Sequence, residues 1–212
     1  KNDAIIQKSH EIEQQASLLD AQKKQILSSI HYAQHIQHAL MPDTSILNNF
    51  VSDYFIMLKP RDIVSGDFYW FYQKNNKLYV LAADATGHGV PGAFMSVMGL
   101  SYLKHIILEK DSLSSAPILE NLREQVKNSL SYANKNAFKD GFDLSLLIFD
   151  FTNYTYYFSA AYNPVYVNQN GQLKKLEGDR QPVGIYPREK PFSEIHGTFS
   201  KGDVFYLASD GF

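Results

Sequence analysis

Three aspartates in this 212-residue chain stand where an apolar, strand-like run gives way to glycine. Asp67 lies in Ser65-Gly66-Asp67-Phe68-Tyr69-Trp70, at the mouth of an aromatic stretch. Asp84 closes the apolar run 78–83 and opens Asp84-Ala85-Thr86-Gly87-His88-Gly89-Val90-Pro91-Gly92-Ala93, a glycine-rich turn that leads into a helical pattern. Asp210, before Gly211, again ends an apolar run. Packing requires neither the carboxylates nor the glycines at these places, whereas glycine lets backbone approach a ligand or ion closely. Strand-end carboxylates in a chain without cysteine suit hard, oxygen-loving cations such as Mg²⁺ or Mn²⁺ better than zinc. Each Asp-Gly taken singly has the plainer reading of a turn or a helix cap, so spacing alone leaves both readings open.

The elements that must position these residues are legible from periodicity. Residues 51–58, 68–72 and 78–83 are apolar and β-prone, and the last two are separated by a polar loop, 73–77, that suits a hairpin. Three antiparallel strands are expected there. Residues 92–108 and 117–130 carry apolar side chains at three-to-four spacing and predict two helices. Residues 142–151, 154–160 and 165–167 return to strand, Asn170-Gly171 is a turn, and 203–209 reads as the last strand. Strands, two helices, then strands predict a layered α+β domain with mainly antiparallel pairing, and disfavour a parallel nucleotide-binding sheet.

The first forty residues differ in kind. Ile5, Ile12, Leu19, Ile26, Ala33 and Leu40 recur every seven positions, one line of a coiled-coil seam. The second line, Ser9, Ala16, Lys23, Ile30 and Gln37, is half polar, so pairing would be weak or adjustable, as in a switch. The plainer reading is a helix packed on its own domain. Pro42 ends the pattern, dividing the chain into a helical linker, 1–42, and a globular part, 43–212. His31, His35 and His38 share this helix, and the four-residue step from His31 to His35 is a metal spacing. Without a carboxylate beside them they read as a solvated face.

Composition sets the limits. The chain is 44% apolar and 14% aromatic, enough to bury a core, and its 20% charge is too low for wholesale disorder. Twenty basic against 22 acidic side chains leave −2, which supplies no field for gathering nucleic-acid phosphates. The absence of cysteine excludes disulfides and cysteine nucleophiles. No run of 18 apolar residues and no signal-peptide layout are present, so a cytoplasmic chain without membrane contact is expected. It starts without Met and stops inside a strand-and-turn pattern, which reads as a fragment incomplete at its C-terminus.

Residues 60–70, beginning Pro60-Arg61-Asp62, residues 83–96, ending Phe94-Met95-Ser96, and Ser209-Asp210-Gly211 resemble the ordered motifs of the SpoIIE/RsbU branch of the PPM metal-dependent serine/threonine phosphatases. Ile36-Gln37-His38-Ala39-Leu40-Met41-Pro42, Ala160-Ala161-Tyr162-Asn163-Pro164 and Gln181-Pro182-Val183-Gly184-Ile185 support it. The resemblance runs from about residue 30 to the end. It implies an α+β sandwich of two mainly antiparallel sheets flanked by helices, with two Mn²⁺ or Mg²⁺ ions at one end. Asp84 would bridge the ions, with the Ala85 carbonyl and Asp67 on one of them and Asp210 on the other. The family's further aspartate lies in a later Asp-Asp-x-Thr-like segment, beyond Phe212, so the Asp210 site is expected to be loose. Asp143 occupies a family position near the site.

Within that resemblance His88 is a candidate general acid, although many PPM phosphatases place a histidine two residues after the bridging aspartate, where Thr86 stands here. A role in bonding the turn is the other reading of His88. Arg61 could neutralise phosphate or form a surface ion pair, and does not match the superfamily's phosphate-binding arginine. The resemblance further implies a phosphoserine or phosphothreonine protein as substrate, such as an anti-sigma-factor antagonist-like protein. It also implies an upstream sensor acting through the N-terminal helix, and a homodimer formed by that helix. The rival readings are a catalytically inactive interaction module of the same fold and another two-metal hydrolase acting on a phosphodiester.

Overall fold

Proline has no N–H to give and forces the residue before it out of the α region, and the first helix ends accordingly: α1 spans Asn2–Leu40 in the computed structural model, which describes residues 2–109, 114–131 and 140–211. At about 1.5 Å per residue its 39 residues reach roughly 58 Å. Asp43 then caps a short 3₁₀ helix, Thr44–Asn49, by accepting from the Ser45 N–H at 2.9 Å.

Two sheets and two helices follow. β1 (Phe68–Lys74) and β2 (Lys77–Ala85) form the expected hairpin. Its two-residue loop is turned by Asn75 at φ 54°, the left-handed conformation that hairpin turns demand. Helices α2 (Gly89–Glu109) and α3 (Ser115–Ser131) come next, then β3 (Gly141–Asp150), β4 (Thr155–Ala161) and β5 (Val165–Gln169). β5 turns through Asn170 and Gly171, both at positive φ, into β6 (Gln172–Leu176). β7 (Val183–Gly184), β8 (Ile195–Thr198) and β9 (Val204–Leu207) complete the set. The larger sheet runs β1-β2-β3-β4-β8, with β7 also on β3, and the smaller runs β6-β5-β9; these pairings are all antiparallel. The short strands β6, β7 and β8 carry too little alternation to be read from sequence.

β3 is central and buried along almost its whole length, so its alternate residues feed two cores. Leu144, Leu146 and Ile148 meet Leu100, Leu103, Ile106 and Leu119 from the helices on one face. Leu147 and Phe149 meet Val165, Val167 and Phe158 between the sheets on the other. The layers are therefore helices, larger sheet, smaller sheet, as the α+β expectation has it.

One expected strand is absent. Residues 51–58 have β propensity but form no strand, and Tyr54, Phe55, Ile56 and Met57 are exposed. Propensity describes fitness for a paired, half-buried surface, and among the described residues no strand pairs with this stretch. The two ends of α1 differ. Ile5, Ile12, Leu19 and Ile26 are 60–67% exposed, whereas the last turns dock on the domain through buried Gln37 and through Met41, which packs on the helix-side core. Among the described residues no helix is long and apolar enough to cross a membrane.

Candidate metal centre

Register alone lines up the acidic residues. Phe68 pairs with Ala83, so the next rung sets Asp67 beside Asp84, and Asp84 pairs directly with Asp143 on β3. The Phe68 and Phe142 rings, edge to face at 5.9 Å, fasten the strand ends that carry Asp67 and Asp143. Gly99 lets α2 sit down on those rings, since a Cβ there would lie 2.9 Å from the Phe142 ring. From the far end of the chain, the Ser209 hydroxyl donates to Asp67 Oδ2 at 3.3 Å and brings Asp210 in. Asp84 lies within hydrogen-bonding reach of both Asp67 and Asp210.

Carboxylates packed this way resist ionising together. Burial first, then the charges of Asp67 and Asp210, push the Asp84 carboxyl up to about 7. Burial and Asp210 push Asp143 up to about 6. Among the described residues no three acidic or histidine side chains already close into a ligand shell. The donor set nevertheless fits divalent cations: every donor is oxygen, and the unbalanced negative charge is what a cation would relieve.

Glycines make the convergence sterically possible. A Cβ on Gly66 would come within 2.8 Å of the Gly87 carbonyl oxygen and 3.1 Å of that of Ala85, and one on Gly92 within 2.5 Å of the Gly87 oxygen. Real Cβ atoms do not tolerate such contacts, so the segment before Asp67 and the turn after Asp84 can touch only as glycine. The same packing presents the Ala85 carbonyl to the backbone beside Asp67. A cleft of about 120 Å³ results, with Arg61, Asp62, Asp67, Asp84, His88 and Gly89 among its lining residues.

His88 stands at the rim, with Nδ1 3.3 Å from Asp62 Oδ2 and both side chains well exposed. Thr86 is committed elsewhere: its N–H and hydroxyl donate to the Gly141 carbonyl at 3.0 and 3.1 Å, and its hydroxyl accepts from the Gly141 N–H. It pins the turn to the start of β3. Arg61 is exposed on the cleft wall. His31, His35 and His38 are exposed on α1.

One participant stood out in the sequence only as a polar break in the heptad line and as a member of the 36–42 motif. Gln37 is 2% exposed. Its Nε2 donates to the Ser65 carbonyl at 2.6 Å and its Oε1 accepts from the Ser65 N–H at 3.1 Å, so the side chain pairs with Ser65 as a strand would. Nε2 also donates to Ser96 on α2 at 2.7 Å. The last turns of α1 are thereby tied two residues from Asp67.

Comparison with known proteins agrees with this fold. A family model described as Stage II sporulation protein E (SpoIIE) matches residues 74–212. The phosphoserine phosphatase RsbU of Bacillus subtilis (strain 168) is 24% identical over 201 residues, 89% of this chain and 54% of RsbU, so the chain spans about half the length of that curated relative. The solved PP2C domain of SiaA from Pseudomonas aeruginosa is 30% identical with a TM-score of 0.78, covering 90% of this chain and 74% of that one. RsbX, solved in complex with magnesium, shares the fold at 16% identity and a TM-score of 0.53, over 70% of this chain and 67% of its own.

Proposed function

The chain belongs to the Stage II sporulation protein E family, and on that premise we propose that it is a metal-dependent phosphatase acting on phosphoserine or phosphothreonine in a signalling protein. The observation that carries this reading is the meeting of Asp67 and Asp84, at the open end of one hairpin, with the distant Asp210, beside a cleft. Asp67, Asp84, the Ala85 carbonyl and Asp210 would hold two ions, Mn²⁺ or Mg²⁺, which supply Lewis acidity and a nucleophilic water for displacement at phosphorus. Magnesium in the RsbX structure supports that class of cation.

The chain's own groups have distinct tasks. The carboxylates alone would repel a phosphomonoester dianion, so cation dependence is intrinsic to the site. The Arg61 guanidinium on the cleft wall offers donors to phosphate oxygens. Asp62 holds the His88 Nδ1 side, which orients Nε2 to hold the proton for a departing serine oxygen. The same contact steadies the glycine turn, so His88 serves the turn and the proton together.

Regulation belongs to α1. Residues 5–26 of the helix are exposed, with the apolar line Ile5, Ile12, Leu19 and Ile26 uncovered, which suits pairing with a second copy and coupling to an upstream sensor. Gln37 passes a shift of that helix to Ser65, and so to Asp67. In this reading residues 1–42 are the linker, residues 43–212 the catalytic unit, the partner is an anti-sigma-factor antagonist-like phosphoprotein, and the setting is cytoplasmic.

The test is manganese-dependent phosphate release from a phosphoserine peptide, with a phosphodiester for comparison. The expected result is turnover of the peptide that falls about a thousandfold in Asp84→Asn, the scale on which removing a principal charge-stabilising group acts. Equal turnover of the diester would point to a different hydrolase. Failure to bind manganese or release phosphate would leave an interaction module.

A further inference from the structure

The row of residues at this end of the larger sheet does not stop at the carboxylates. Leu144 pairs with Ala161, so continuing the register by one residue sets Tyr162 beside Asp143, and the order across four strands is Asp67, Asp84, Asp143, Tyr162. Tyr162 is held in an uncommon conformation. Its φ of 60° is left-handed, a region that bulky side chains rarely adopt. The surroundings enforce it: the Tyr162 N–H donates to the Asp179 carbonyl at 2.8 Å, the Asn163 N–H donates to the Ala161 carbonyl at 2.7 Å, and Asn163 Nδ2 donates to the Asp143 carbonyl at 3.1 Å. Asn163 is itself buried. Strain of this kind, fixed by neighbours, gathers at functional sites.

The side chain is placed as firmly. Tyr186, two residues past β7, comes to the same sheet end, where the Tyr162 phenol lies close enough to Tyr186 and to Asp143 to feel both. Burial first, then the neighbouring Tyr186 phenol and the charge of Asp143, raise the Tyr162 phenol above its ordinary value. Tyr162 nevertheless remains 41% exposed. The two phenols thus form an aromatic ledge, open to solvent, with a carboxylate at its inner margin. Ring faces and a carboxylate together attract a cationic side chain.

We propose that Tyr162 and Tyr186 are specificity residues that bind a lysine or arginine close to the phosphoserine in the substrate protein. Two strand spacings separate Asp84 from Tyr162, about 10 Å, the reach of roughly three extended residues, so the basic residue lies two or three positions from the phosphoserine. Arg61 and His88 stand on the other flank, beside Asp62, and handle the phosphate. This inference rests on the phosphatase reading and adds which phosphoproteins the site prefers.

The experiment uses synthetic phosphoserine peptides with Lys, Ala or Glu placed in turn at the second and third positions on either side of the phosphoserine. Manganese-dependent kcat/KM is measured for the protein and for Tyr162→Ala and Tyr186→Phe. At one of these positions Lys is expected to be preferred to Ala by about tenfold, mostly through KM, and Glu to be disfavoured. The Lys:Ala ratio should fall to about two in Tyr162→Ala and to an intermediate value in Tyr186→Phe, which keeps the ring and loses the hydroxyl. A ratio of two substrates on one enzyme is insensitive to partial misfolding. A ratio near one in the unsubstituted protein at every position, or a tenfold ratio that survives both substitutions, overturns this inference and leaves the phosphatase reading standing. No turnover of any peptide overturns both.

Discussion

Three rungs along the same ladder, β2 and β3 hold opposite kinds of pair. Leu81 faces Leu146 with both side chains essentially inaccessible, while Asp84 faces Asp143 half-buried. The first pair is apolar, dense and satisfied. The second sets two carboxylates abreast in a place where burial already disfavours their charge. The hydrogen-bonded backbone is the same in both, so the contrast lies wholly in the side chains. The middle of the sheet supplies stability, and its end spends part of it on a cluster that only a cation would balance.

That contrast can be broken from either side. The largest effect belongs to the middle: Leu146→Ala should cost about 3 kcal/mol, the usual penalty for a truncation in a closed core, read as a lower urea midpoint with an unchanged slope. Next comes the tie between α1 and the end of the sheet. Gln37→Ala leaves the buried Ser65 N–H without its partner and removes one of the two donors to the Ser65 carbonyl, the Ser96 hydroxyl being the other, a loss of about 2 kcal/mol. Phosphate release should drop further than this loss of fold explains, whereas Ile12→Ala in the exposed half should leave the unfolding midpoint unchanged. Equal effects of the two on activity would remove the coupling through Gln37.

The smallest effect has an unusual sign. The folded Asp84 carboxyl is raised from 3.8 to about 7, so between those values the native state binds more protons than the unfolded chain, and stability falls as pH rises. Asp143, raised to about 6, acts in the same direction. Asp43, Asp150 and Glu189 are lowered by hydrogen bonds or ion pairs, and their contribution is complete above the ordinary carboxylate range. In chelator, then, the protein should be less stable at pH 7.5 than at pH 5. Asp84→Asn should recover about 1 kcal/mol at the higher pH, allowing for solvent screening of a half-exposed group. Thermal scans at the two pH values read this directly, and a higher midpoint at pH 7.5 would show that the carboxylates are already balanced without a cation.

Much of this arrangement was legible in the residues. The hairpin over Asn75, both inner helices, the long central strand and the turn at Asn170-Gly171 were visible because alternation, three-to-four spacing and turn chemistry are local. Asp67, Asp84 and Asp210 stood out because each interrupted an apolar run beside glycine. Residues 51–58 were misread because a strand is a pairing, and apolar alternation cannot report whether a partner is present. Gln37 read as a flaw in a seam because its partner, Ser65, is 28 residues away. Tyr162 carried no local signal beyond its place in the 160–164 motif, and Tyr186 carried none.

By itself, then, the sequence determined which segments could be strands or helices, where they must end, and that oxygen donors would gather at strand ends, since all of these follow from side-chain period and backbone freedom over a few residues. Only the tertiary structure decided which carboxylates become neighbours, how strongly they oppose one another, and that α1 touches the segment leading to Asp67. Those are matters of register and burial, and both are set by residues far apart in the chain acting through space.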